Sequence, residues 1–332
     1  MSTDLAPGLA DHPTILRHWR MRTSVEPLRG VLPTAVPFTL AEALTLGVSS
    51  SALCRLVRVG LLRRVLKGVY VDASVPDSLE LRCRGLAAVI PAGAVVADRT
   101  AAWLHGVSIL RAGEQLLLPD VRVVRVPDGT RVRRDVVDGG LRMLRPDDVE
   151  VVAGVPVTTP LRTACDLGRL LRRDDAFAAL DALLRLNRFD RSQLLAELDR
   201  FRGFRGIRQL RVLAPWADPR AESPQESVLR LRWLDEGLPD PMPQLPFLDE
   251  WGRERFRGDL GVPGLKLLVE YDGRDHHTSP EDRAADARRR AVWRAHGWTV
   301  LVVTADDLRG PHIGALLRAA VREAEERVAL AA

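Results

Sequence analysis

Residues 265–273 read Leu265-Lys266-Leu267-Leu268-Val269-Glu270-Tyr271-Asp272-Gly273, an apolar run that closes on two carboxylates and a glycine. The two-residue period of a strand turns Glu270 and Asp272 to one face, and Gly273 ends the strand. Upstream, Asp259 sits in another strand-like segment, and Ser223-Pro224-Gln225-Glu226 opens an amphipathic helix carrying Val228, Leu231 and Leu234. Carboxylates converging at adjacent strand ends suit a hard cation that prefers oxygen ligands and keeps several waters. The expectation is a catalytic site for phosphodiester hydrolysis: Asp259 and Glu270 hold Mg²⁺ or Mn²⁺, with Glu226, Asp272 and the pair His276 and His277 around the ion. The plainer alternative is a set of solvated turn residues, since Asp272-Gly273 alone is an ordinary turn dipeptide.

Outward from this strand the pattern continues in both directions. Strands are expected over 244–248 and 255–261 about a turn at 249–252, then a helix over 280–296 and a strand over 298–304, giving the order αβββαβ. The expected helix carries Arg283, Arg288, Arg289, Arg290 and Arg294, a basic run suited to phosphates or simply to a solvated surface. Asp286 and Arg289, three apart, are placed to form a pair within the helix.

Ser223-Pro224-x-Glu226, Asp259-Leu260, Val269-Glu270-Tyr271-Asp272-Gly273 with His276 or His277, Asp286-x-x-Arg289 and Gly297-Trp298-x-Val300 together resemble the PD-(D/E)XK restriction-endonuclease-like superfamily. The closer resemblance is to the branch related to very-short-patch-repair endonucleases, and it spans residues 222–332. It implies metal-assisted cleavage of DNA, with Arg289 near the rim of the site. One departure stands out: the usual lysine of the third motif is replaced by Asp272. The resemblance therefore moves the water-activating role to a histidine, His277 ranked before His276.

Near the other end, Thr39 is placed to cap a helix carrying Leu40, Ala43 and Leu44, with Glu42 completing a capping box. Gly47 suits a left-handed helix end, and Ser49 caps a second helix with Ala52, Leu53, Leu56 and Val57 on its apolar side. Gly60 stops that helix, and residues 61–71 read as a hairpin turning at Lys67-Gly68. This is a helix-turn-helix with a basic wing, in which Ser50, Ser51, Arg55, Arg58, Arg63, Arg64 and Lys67 are the expected DNA contacts. The positions Ala43-Leu44, Gly47-Val48, Leu53, Leu56-Val57, Gly60, Arg64-Val65 and Gly68-Val69-Tyr70 resemble the N-terminal winged-helix domain of AbiEi-type antitoxins and related regulators. The stretch through Thr158-Thr159-Pro160 resembles the middle region of the same proteins. That resemblance implies a DNA-binding regulator and a toxin or antitoxin-system partner.

Charge agrees with a nucleic-acid partner without requiring one. The chain has 332 residues, a formal net charge of +5, 46% hydrophobic and 28% charged residues, the composition of a globular protein of several domains. Only Lys67 and Lys266 are lysines among the 49 basic residues, so arginine abundance reflects a compositional bias more than a DNA surface. Distribution says more: between Ser49 and Tyr70 stand Arg55, Arg58, Arg63, Arg64 and Lys67 with no acidic residue. No run is long and apolar enough for a membrane helix, and no signal segment is evident, so a cytoplasmic location is expected. Cys54, Cys83 and Cys165 lack any paired spacing and read as small apolar residues, not as disulfides or zinc ligands.

The fold class expected is thus α/β in the broad sense, an α+β multidomain chain. It comprises a loose arm over 1–26 with Met21 as an alternative start, a winged helix over 27–75, a small α+β middle region over 76–214, and the restriction-endonuclease-like αβββαβ domain over 222–332. In the middle region, 79–109 reads as helical, with strands near 121–126, 132–137 and 151–157. His105 reads as a packed, hydrogen-bonded residue, Ser192 as a helix cap, and 215–224 as a linker. The function expected is a metal-dependent DNA endonuclease guided by the winged helix; the alternative is a DNA-binding regulator or antitoxin with an inactive nuclease fold, and a module binding an acidic protein ranks last.

Overall fold

The computed structural model describes residues 31–33, 35–107, 121–125, 133–134, 137–273 and 280–331. The arm over 1–26 and the pair His276 and His277 lie outside the described residues. The described residues form three sheets and twelve α-helices, a mixed α+β multidomain architecture. Two compact units divide between Thr159 and Pro160. None of the described helices is long and apolar enough to cross a membrane.

In the first unit, β1 (Phe38–Thr39) leads into α1 (Leu40–Thr45), α2 (Ser50–Arg58) and the hairpin of β2 (Leu62–Leu66) and β3 (Val69–Asp72). The turns follow the expected local chemistry. The Thr39 hydroxyl accepts from the Glu42 N–H at 3.1 Å while the Glu42 carboxylate accepts from the Thr39 N–H at 2.6 Å, a reciprocal cap. Gly47 at φ 80° and Gly68 at φ 76° take the left-handed backbone that closes the first helix and the hairpin. The small sheet runs β1-β3-β2.

Its hairpin serves two cores. Leu62 and Tyr70 join Phe38, Ala43, Leu53 and Leu56 under the helices. Val65, Val69 and Val71 instead pack with Leu81, Leu86, Val123 and Val157. The second of these cores belongs to α3 (Leu79–Ala87), β4 (Val95–Val96), α4 (Asp98–Leu104), β5 (Val121–Arg125), β6 (Arg133–Arg134), β7 (Val137–Leu141), β8 (Val149–Val152) and β9 (Val155–Thr158). The strands make a mixed six-stranded sheet in the order β6-β7-β5-β4-β9-β8. Residues 79–109 are not helical throughout, because β4 intervenes; a two-residue strand is too short to show a period. His105 is packed as expected, its Nε2 lying 2.8 Å from the Thr158 carbonyl that accepts its proton.

The second unit starts with α5 (Pro160–Leu170), α6 (Arg173–Arg185), α7 (Arg191–Ala196) and α8 (Ile207–Leu213). Asp190, not Ser192, caps α7, accepting from the Gln193 N–H at 2.8 Å; Ser192 falls within the first turn and donates to the same carboxylate. Asp166 is fully buried between Arg162 Nε at 2.8 Å and Arg169 Nη2 at 2.5 Å. Residues 215–224 do not behave as a loose linker. The Asp218 N–H donates to Asp181, Arg185 reaches the Ala221 carbonyl, and Arg230 reaches the Trp216 carbonyl.

The chain then builds α9 (Pro224–Asp235), β10 (Met242–Leu248), β11 (Glu254–Val262), β12 (Leu267–Asp272), α10 (Pro280–Ala295), β13 (Thr299–Thr304), α11 (Ala305–Arg309) and α12 (Ile313–Ala331). The expected αβββαβ order is present. The sheet runs β10-β11-β12-β13, antiparallel through β12 and parallel between β12 and β13. Alternation along β12 divides the packing: Leu267 and Val269 join Leu229, Trp233 and Leu317, whereas Leu268 joins Leu245 and Trp293 of α10. Glu270 and Asp272 share the parity of Leu268 and so stand on the α10 side of the sheet.

Candidate nucleic-acid interface and carboxylate cluster

Ser49 fixes the start of α2, its Oγ accepting from the Ala52 N–H at 3.2 Å. The helix buries Ala52, Leu53 and Leu56 and leaves Ser50, Ser51, Arg55 and Arg58 exposed. A helix with hydroxyls at its N-terminal turn and two arginines further along the same outer surface has the donors that phosphate and base-edge contacts need. From the hairpin, Arg64 is exposed and its Nη2 lies 3.8 Å from Cys54 Sγ on α2, which sets the first wing strand beside the helix. Cys83 and Cys165 are buried, but Cys54 is exposed; its position on the outer surface of α2 overrides the apolar expectation.

Arg63, also among the expected contacts, is engaged within the protein. Its Nη2 donates to the Val75 carbonyl at 2.9 Å and its Nε to the same oxygen at 3.3 Å, because strand alternation turns it away from Arg64 and toward the chain leaving the hairpin. Lys67 is exposed at the hairpin turn.

In the second unit, β11 pairs with β12 through Leu260↔Val269 and Gly261↔Leu268. Continuing that register sets Asp259 opposite Glu270. The strands separate there, and the Tyr271 N–H turns to the Asp259 Oδ2 at 2.7 Å. Glu226, in the first turn of α9 and capped by Ser223 Oγ at 3.2 Å, completes the neighbourhood. Burial first, and then the charges of Glu226 and Glu270, push the Asp259 carboxyl up to about 7, against the Tyr271 N–H and Arg289, which lower it. The three carboxylates of the expected site therefore share one electrostatic neighbourhood.

One oxygen of each is nevertheless engaged by a protein group, Asp259 Oδ2 by the Tyr271 N–H. Glu226 Oε2 accepts from Gln244 Nε2 at 2.8 Å and from the Glu222 N–H at 2.9 Å. Gln244 reaches it from a left-handed backbone, φ 51°, between the Pro243–Leu260 and Leu245–Gly258 pairs of the sheet. Glu270 Oε2 accepts from Arg290 Nε at 2.6 Å, and Asp272 lies 3.7 Å from Arg290 Nη2. Arg289 pairs with Asp286 at 3.0 Å, as their spacing in the helix implies, and also approaches Glu270 at 3.9 Å. Among the described residues no group of three or more histidine, cysteine, aspartate or glutamate side chains converges as a metal ion requires. As arranged, the described residues do not fit Mg²⁺ or Mn²⁺.

Sequence reading missed Gln244 and did not single out Arg290 from the arginines of α10. A glutamine in a strand carries no motif. Arg290 differs from Arg288 and Arg294 only by which side of α10 meets the sheet.

Two regions of the chain match known families. Residues 35–71 match the transcriptional regulator, AbiEi antitoxin, and residues 91–215 match the AbiEi antitoxin C-terminal domain. Both end before Glu226. Two curated proteins of Mycobacterium tuberculosis, Uncharacterized protein Rv2248 (strain ATCC 25618 / H37Rv) and Uncharacterized protein MT2308 (strain CDC 1551 / Oshkosh), are each 38% identical over 254 residues. The alignment takes in 76% of this chain and 89% of each relative.

Proposed function

The chain belongs to the family of these Mycobacterium tuberculosis proteins and carries AbiEi antitoxin and regulator regions, and we propose that it is a DNA-binding transcriptional regulator of the antitoxin type. The observation that carries this reading is α2: it buries Ala52, Leu53 and Leu56 while Ser50, Ser51, Arg55 and Arg58 stay exposed, inside the stretch that matches the regulator family. In such a regulator α2 enters the major groove, Arg55 and Arg58 supply base-edge or phosphate contacts, and Arg64 and Lys67 hold the backbone beside it. An antitoxin role also implies a cognate toxin as protein partner.

The test is fluorescence anisotropy with a labelled duplex from upstream of the chain's own coding sequence, beside a scrambled duplex of equal length. Tighter binding to the first, lost in Arg55→Ala/Arg58→Ala, is the expected result. Equal and weak binding to both, unchanged in the variant, would overturn the reading.

A metal-dependent DNA endonuclease is the second reading, supported by the common neighbourhood of Glu226, Asp259 and Glu270. Weighing against it are the engagement of one oxygen of each by Gln244, Tyr271 and Arg290, and Asp272 in the position of the superfamily's lysine. Plasmid incubated with Mg²⁺ or Mn²⁺ separates the two. Cleavage abolished by Asp259→Ala and by Glu270→Ala is the result the endonuclease requires.

A further inference from the structure

Glu270 is only 2% exposed, and a carboxylate so far from water needs a positive partner or else takes up a proton. Here the partner comes from the same chain. Arg290 Nε donates to Glu270 Oε2 at 2.6 Å, and Arg290 Nη2 stands 3.7 Å from Asp272. Arg289 Nε lies 3.9 Å from Glu270 Oε1, near enough for charge attraction but too far for a hydrogen bond, so both atoms are buried without one.

The helix that carries both arginines is held on the sheet. One turn along α10, the Trp293 ring meets Phe247 at 4.8 Å, Phe256 at 5.9 Å and Trp298 at 4.7 Å. That aromatic cluster pins the helix on the sheet and fixes the root of the Arg290 side chain. A guanidinium and a divalent ion would compete for the same oxygen, and displacing Arg290 would forfeit its hydrogen bond to Glu270 and its attraction to Asp272.

We propose that Arg290, backed by Arg289, is the resident cation of the carboxylate cluster, so that the native chain takes up neither Mg²⁺ nor Mn²⁺ there. The inference concerns the second unit alone and does not depend on the DNA-reading role of the first. It makes Arg290 the counter-charge of the cluster, and it predicts that one substitution opens the cluster to a divalent ion.

The experiment uses the full chain with MnCl₂ as the probe, read by calorimetric titration and by thermal unfolding. The native chain should show no saturable Mn²⁺ binding and no Mn²⁺-dependent change in Tm. Arg290→Gln should unfold several degrees lower and regain roughly 5 °C at saturating Mn²⁺, as expected when a ligand binds only the folded state. Glu270→Gln/Arg290→Gln, which removes both charges, should recover the Tm without responding to Mn²⁺. Saturable binding by the native chain that Glu270→Gln abolishes would overturn the proposal, and so would an Arg290→Gln chain no more responsive to Mn²⁺ than the native one. If Arg290→Gln alone does not fold, the native titration still decides, with recovery of folding in the double variant as the supporting result.

Discussion

Arg230 and Asp181 meet in the interior of the second unit, Nη2 lying 2.8 Å from Oδ1 and 2.7 Å from Oδ2. The pair ties α9 to α6 across a stretch of sequence that reads as a linker. Arg232 and Asp174 repeat the tie closer to solvent, at 2.6 Å. Asp181→Ala strands a buried guanidinium and should cost roughly 3–5 kcal/mol. Urea unfolding with an unchanged m-value measures it, and Asp181→Leu/Arg230→Met, which leaves no orphaned charge, should lie much nearer the native midpoint.

The wing arginines should separate by role. Arg64→Ala should leave stability unchanged and lower the log-log salt slope of DNA binding by about one. Arg63→Ala should leave that slope alone and cost roughly 0.5–1.5 kcal/mol, because it removes the partner of the half-buried Val75 carbonyl. Salt titrations of anisotropy beside thermal melts of both variants make the comparison, and a slope that falls only with Arg63→Ala would reverse the assignment.

Asp259 sets a pH dependence of opposite sign to most carboxylates. Its folded value is raised to about 7 from 3.8, so between those values the unfolded chain releases a proton that the folded chain keeps. Stability contributed by this group is full below the unfolded value and falls as pH rises to about 7, by roughly 3–4 kcal/mol. Asp259→Asn should flatten that segment of the stability curve and raise the melting temperature at pH 8. An equally steep curve in the variant would assign the effect elsewhere.

Gly206 precedes α8 at φ 79°, and an added Cβ would meet the Arg169 carbonyl oxygen at 1.9 Å. Gly206→Ala combines backbone strain with a clash against main chain that has no room to yield. It should destabilise by more than about 2 kcal/mol in denaturant unfolding, whereas Gly203→Ala, left-handed but open, should lose only the strain component.

Local chemistry made much of this legible beforehand. Thr39 with Glu42, Ser49, Gly47 and Gly68 each act on neighbours within four residues, and the order of elements along the C-terminal domain follows from period two, helical spacing and its turns. What stayed hidden acts across the chain. Asp181 and Arg230 lie 49 positions apart, so no window shows them as partners. Arg63 and Arg64 are adjacent and chemically identical, and only the hairpin's alternation separates a structural arginine from an exposed one. The carboxylates Glu226, Asp259 and Glu270 were legible as a neighbourhood, but not the groups that claim their oxygens, because Gln244 and Arg290 become partners only once the sheet and α10 are assembled.

The β2–β3 hairpin, with Tyr70 turned to the helices and Val69 and Val71 to the six-stranded sheet, leaves α2 no pivot of its own. Its bearing is that of the larger sheet behind it. Repacking Leu86 or Val123 would reach α2 as a change of aim, so whatever surface α2 presents is mechanically answerable to a core that never meets its partner.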